Sequence, residues 1–119
     1  GIKGKICLIL GLPGEKEDIA DKTIDFLERA NPDFISVSGF CPLPGSTIYK
    51  NPEKYGIKHI DKDWNKHSHL LYRFSDEEEV GLPFEYEDVT PWGKPLSRQQ
   101  IKDAIIKVQT WAREKGMLY

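Results

Sequence analysis

The stretch Ile6-Cys-Leu-Ile-Leu-Gly-Leu-Pro-Gly-Glu15 decides the fold. Its five leading residues are apolar without alternation, the pattern of a strand covered on both faces, as in parallel sheets. The run then stops in a Gly/Pro loop, which is how a strand delivers backbone to a site at its carboxyl end in an α/β protein. The strand is placed over Lys5 to Leu10. The spacing predicts a helix over Glu17 to Ala30, with Ile19, Thr23, Phe26, Leu27 and Ala30 on one face. Glu15, Glu17 and Asp18 lie near its start, where the helix dipole favours acidic groups.

Asn31-Pro32 ends that helix, because the residue before proline is pushed out of the α region. Phe34 to Phe40 supplies a second strand, so the two apolar runs read as consecutive β/α units. From Cys41 to Thr47 the chain is a loop in which Pro42 and Pro44 fix φ and Gly45 leaves one permissive position. A short helical turn is expected over Thr47 to Lys54. Between Asn51 and Pro95 the pattern weakens: Trp64, Leu70, Leu71, Tyr72, Phe74, Phe84, Tyr86 and Trp92 are scattered among charges and prolines. Leu70 to Phe74 has the composition of a short strand, and Glu77-Glu78-Glu79 reads as a solvated face or turn. Ser97 to Lys115 is a clear helix: Ser97 is an N-cap, Gln100 completes a capping box, and Ile101, Ala104, Ile105, Val108, Trp111 and Ala112 form one apolar stripe. Gly116 ends it. The stripe reads as core, with a partner-binding face as the competing reading.

The length of 119 residues suits one domain of ordinary size. The net charge is −2 with 30% charged residues, so no basic footprint for nucleic acid or an acidic membrane is present. No apolar run approaches the length of a membrane span, and a cytoplasmic protein is expected. Cys7 and Cys41 are the two cysteines, too few for a disulfide framework or a four-thiolate metal site, and are read as reduced, buried thiols. The chain enters its first strand almost at once after Gly1. Since domain boundaries usually fall in exposed linkers, this is read as a sequence cut from something longer.

The Gly11-to-Glu15 loop could set backbone amides and a carboxylate against a ligand. It has neither the glycine spacing of a dinucleotide fingerprint nor the Gly-Lys-Ser/Thr ending of a P-loop. His59, Asp61, His67 and His69 offer zinc-type donors in a poor spacing, and surface histidines in a long loop are the preferred reading. Ser36, Ser38 and Ser46 lack a neighbouring motif that would make a nucleophile.

At these same residues the chain resembles the radical S-adenosylmethionine enzymes, most closely the branch with an N-terminal cobalamin-binding domain. The family's fifth barrel strand reads as a glycine-hydrophobic lead-in followed by Ile-x-Gly-Leu-Pro-Gly-Glu, matched by Gly4 to Glu15. Its sixth strand begins Pro-Asp and ends in Pro-x-Pro-Gly-Thr-x-Leu/Ile-Tyr, matched approximately by Pro32-Asp33 and Pro42-Leu-Pro-Gly-Ser-Thr-Ile-Tyr49. The resemblance covers about Gly1 to Tyr55. It implies that Ile9, Gly11, Pro13 and Gly14 line the adenosine pocket at the mouth of the barrel, with Ser38 and Phe40 approaching from the next strand. Glu15 is a loop or helix-start residue, not a catalyst.

In such enzymes a [4Fe-4S] cluster, held by Cys-x3-Cys-x2-Cys after the first strand, reductively cleaves S-adenosylmethionine to a deoxyadenosyl radical. That motif and the first four strands are absent here. The fold class expected is therefore α/β, a partial (β/α) barrel fragment with parallel strands and a C-terminal helix. Residues 1–55 are the late β/α units and residues 56–119 an irregular accessory region ending in the helix over 97–115. The resemblance implies a non-catalytic C-terminal part of an iron-sulfur radical oxidoreductase or methyltransferase. S-adenosylmethionine, the cluster and cobalamin belong to the full-length parent, and none is expected on this chain alone. Its partners would be the remainder of the parent, an unidentified small-molecule or peptide substrate, and further copies of itself through exposed strand edges; nucleic acid and membrane are not expected. The alternative is a complete small α/β binding or assembly module in which Trp64, Trp92 and the late helix form a protein-binding surface.

Overall fold

The computed structural model describes residues 2–61 and 83–118. Strand β1 (Lys5–Leu10) and strand β2 (Phe34–Gly39) pair in parallel, from Lys5 opposite Phe34 to Leu10 opposite Gly39. Helix α1 (Ile19–Ala30) connects them. Asn31 closes α1 in the left-handed conformation at φ 46°, its N–H donating to Leu27 O at 2.8 Å, a geometry in which asparagine is among the few tolerated side chains. Asp33 ties the start of β2 to the start of β1, accepting the Gly4 N–H at 2.7 Å. This β/α/β unit is where the sequence places it, with α1 starting two residues later.

After β2 come a single helical turn α2 (Thr47–Lys50), capped by Ser46, and a 3-10 turn (Pro52–Tyr55). Two short strands, β3 (Ile57–Ile60) and β4 (Phe84–Tyr86), then pair antiparallel with a bulge between Ile57 and His59. Helix α3 (Arg98–Glu114) follows, with the Ser97–Gln100 capping box formed in both directions. Gly116, at φ 72°, turns the chain, and Leu118 makes a parallel bridge to Ile35, whose N–H donates to Met117 O at 2.8 Å.

Both long helices lie on one face of the parallel pair. Ile35 and Val37 of β2, Leu10 of β1, Leu27 of α1, and Ile101, Ile105, Val108 and Ala112 of α3 form one buried cluster, joined by Phe84 of β4. The α3 stripe is thus core and not a partner-binding face; Trp111 at its margin is half-buried. On the opposite face of the sheet Cys7 is exposed, Ile9 is 49% exposed, and Ser36 and Ser38 are half-buried.

Four expectations are corrected. The continuous apolar run of β1 predicts cover on both faces, yet the described residues cover only one. Cys7 is accordingly exposed, not buried, and Cys41 is half-buried. The buried stripe of α1 is Ala20, Thr23 and Leu27, with Ile24 half-buried beside them, while Phe26 (46%) and Ala30 are exposed. Phe26 stands about 100° around the helix from Leu27, off the side that α3 and the sheet cover. Finally, the stretch read as patternless contains β3 and β4. Trp64, Leu70 to Phe74, His67, His69 and Glu77 to Glu79 lie outside the described residues. No helix among the described residues is long and apolar enough to cross a membrane.

Candidate functional site

The carboxyl ends of β1 and β2 bring the sequence-selected residues together in two layers. On the open face, the register sets Ile9 directly beside Ser38 and Cys7 beside Ser36. The Ser38 hydroxyl donates to Leu8 O at 3.5 Å, a long contact that leaves it open to a better acceptor. Beneath the mouth lie Gly11 and Phe40, both buried. The Phe40 ring meets Phe84 edge to face, at 5.2 Å between centroids, so it forms a floor. Gly11 has φ 99°, a dihedral that favours glycine, and a Cβ there would crowd the Ile101 side chain at 3.0 Å.

The loop from Gly11 to Glu15 is held by its own carboxylate. Glu15 accepts the Gly11 N–H at 2.8 Å and the Leu12 N–H at 3.1 Å, one on each oxygen. Glu15 is therefore a loop-fastening residue, and the two amides that the sequence offers to a ligand are already taken within the chain. Burial pushes its carboxyl above the ordinary range, and the two backbone hydrogen bonds pull it back in part. The Gly11 carbonyl accepts the Tyr86 hydroxyl at 2.7 Å. Burial, with the Glu15 charge adding to it, pushes the Tyr86 phenol well above its usual range, so Tyr86 remains a donor at neutral pH.

A second clamp lies one turn further along. Pro13 is half-buried in the loop, and Gly14, at φ 89°, lies under Trp92: a Cβ there would stand 3.5 Å from the indole. Lys16 Nζ donates to Trp92 O at 2.7 Å, and Tyr55 stacks on the Trp92 ring with centroids 6.2 Å apart. Thr90 and Gly93 exchange backbone hydrogen bonds at 2.9 Å each, which fixes the turn carrying Trp92. The sequence offers Tyr86 and Trp92 only as scattered aromatics, with Trp92 in the alternative protein-binding surface; their place at the strand ends is not legible, because no motif marks them and only the Phe84-Glu-Tyr86 alternation hints at a strand.

A cavity of about 810 Å³ lies elsewhere, between β4 and the start of α3, lined by Phe84, Tyr86, Lys94 and Arg98 among others. It does not include Ile9 or Ser38. No group of three His, Cys, Asp or Glu among the described residues could hold a metal ion.

Two curated proteins are similar to part of this chain. A stretch of 76 residues, 61% of the chain, is 32% identical to ribosomal protein uS12 methylthiotransferase RimO of Cronobacter sakazakii, covering 17% of that protein. A stretch of 43 residues, 36% of the chain, is 35% identical to a probable threonylcarbamoyladenosine tRNA methylthiotransferase of Pyrococcus horikoshii, covering 10% of it. The chain thus spans about a sixth and a tenth of these proteins. No protein-family model matches it, and no solved structure matches it.

Proposed function

We propose that this chain is the late β/α part of a radical S-adenosylmethionine enzyme and supplies one wall of its adenosine and substrate pocket. One observation carries the reading. Two adjacent parallel strands are covered by helices on one face only, and Ile9 and Ser38 stand side by side on the uncovered face at their carboxyl ends. That is the inner wall of a partial barrel, where ligands of such folds bind. The two methylthiotransferase relatives support the family, since enzymes of that name use S-adenosylmethionine and iron-sulfur chemistry. One is named for a ribosomal protein and the other for a tRNA, so the two names do not point to one kind of macromolecular substrate. Neither name speaks to cobalamin.

The residues present divide the cofactors between them. A three-thiolate cluster does not fit this chain: it has two cysteines, Cys7 on the open face and Cys41 after β2. No step of the chemistry is assigned to these residues, and the chain alone is not catalytic. S-adenosylmethionine fits in part. Ile9 presents apolar surface for an adenine ring and Ser38 a hydroxyl beside it, while Gly11 lets the backbone turn away at the mouth. The loop amides, occupied by Glu15, shape this wall and do not bind the ligand's carboxylate. The rest of the pocket would come from other parts of the parent, covering Cys7, Ile9, Ser36 and Ser38.

Sequencing the gene upstream of the codon for Gly1 tests this. An in-frame Cys-x3-Cys-x2-Cys about one hundred residues or more upstream, the length of several β/α units, is the expected result. A start codon directly before Gly1 would sink the reading.

A further inference from the structure

We propose that Tyr86 is a positioning residue for this pocket wall, holding the Gly11–Leu12 peptide by its carbonyl while Glu15 holds it by its amide. The proposal rests on the reading of the strand ends as a pocket. Gly11 O and Leu12 N–H belong to one peptide unit. Tyr86 donates to the oxygen at 2.7 Å, and the nitrogen donates to Glu15 at 3.1 Å. A donor on the carbonyl polarises the peptide and strengthens the N–H on its far side, so the two contacts reinforce one another. Glu15 also takes the Gly11 N–H, which leaves the last residue before the mouth fixed on both sides.

Tyr86 is itself held. Its ring packs edge to face on Phe84 at 5.0 Å, and Phe84, 1% exposed, packs in the same way on Phe40 at the end of β2. Arg98 Nε donates to Phe84 O at 2.7 Å, tying β4 to the start of α3. The three-residue strand β4 therefore spans the carboxyl ends of both parallel strands, with Phe84 on one and Tyr86 on the other. This gives β4 a task at the site: it braces Gly11, after β1, and Phe40, after β2, beyond the ladder that already sets Ile9 beside Ser38. The charged neighbours of Glu15 are engaged elsewhere, Lys16 with Trp92 O and Glu17 with Gln100.

The test is backbone amide hydrogen exchange by NMR on the 119-residue chain, comparing wild type, Tyr86→Phe, Glu15→Gln and the double variant. Tyr86→Phe keeps the ring and its packing and removes only the donor. The expected result is exchange at Gly11 and Leu12 accelerated roughly tenfold beyond any change at Ile105 and Val108, which report global opening. In the Glu15→Gln background, where an NH2 that cannot accept replaces one of the two acceptor oxygens, the same substitution should have a smaller effect, because the pair of contacts on this loop is already weakened. A uniform acceleration across the chain, no acceleration, or strictly additive effects of the two substitutions would overturn the proposal. Failure of the pocket reading is seen separately. Without the upstream cysteine motif, local acceleration leaves the lock standing without the pocket; unchanged exchange removes the lock whatever lies upstream.

Discussion

Cys7 and Cys41 are both cysteines beside the parallel pair, and their surroundings set them apart. Cys7 points to the open face and is exposed, whereas Cys41 follows β2, half-buried, its thiol pushed up to about 11 by burial. Only the thiolate is nucleophilic, so at pH 8 about one Cys41 in a thousand is reactive. Iodoacetamide labelling followed by peptide mass spectrometry should modify Cys7 first. Labelling of Cys41 in the folded chain should rise about tenfold per pH unit between pH 8 and 10. Equal rates at pH 8 would mean that the loop opening at Cys41 is not packed as described. The open position of Cys7 was hidden from the sequence for a physical reason: an apolar run records what a residue is suited to, and the cover it is suited to need not come from the same stretch of chain.

At the scale of elements, legibility followed length and regularity. Helix α3 has enough turns for its stripe to repeat and a cap whose two residues bond each other, so both its place and its buried face were readable. The strand pair β1 and β2 was readable from apolar runs that stop at glycine and proline. Strands β3 and β4 were not. They are short, and the bulge after Ile57 breaks the alternation, leaving Ile57 and Ile60 buried with two exposed residues between them. What fixes β3 is a close approach. Gly56 has φ 72°, and a Cβ there would lie 2.6 Å from Thr90 Cβ and 3.0 Å from its Cα, in the turn that carries Trp92. Gly45 has a similar dihedral, φ 89°, with nothing within 4 Å. Replacing each by alanine separates the two effects. Gly45→Ala should cost about 1 kcal/mol for the dihedral alone. Gly56→Ala adds displacement of the Thr90 turn and should cost about 3 kcal/mol or more, with loosening of the Tyr55–Trp92 stack. Urea unfolding of the two variants measures the difference, and equal losses would show that Thr90 yields freely.

For the molecule as a whole, the decisive feature is the imbalance of its two faces. One side of the parallel pair carries α1, α3 and a continuous core. The other presents Ile9 and Cys7 to solvent, and the described residues supply no strand for the outer edge of β1. A two-stranded parallel sheet seldom stands with one face bare, because its strands are apolar on both sides. On the proposed reading the remaining barrel of a parent enzyme would cover this face; for the isolated chain the substitute is another copy. Light scattering should therefore show the apparent mass rising with concentration between the micromolar and millimolar ranges. Ile9→Lys places a charge on the open face at the carboxyl end of β1 and should suppress that rise. It should leave the thermal midpoint nearly unchanged, because Ile9 is 49% exposed and contributes little to the core. A wild-type chain that stays monomeric at the highest concentration would count against the reading of this face as an open barrel wall.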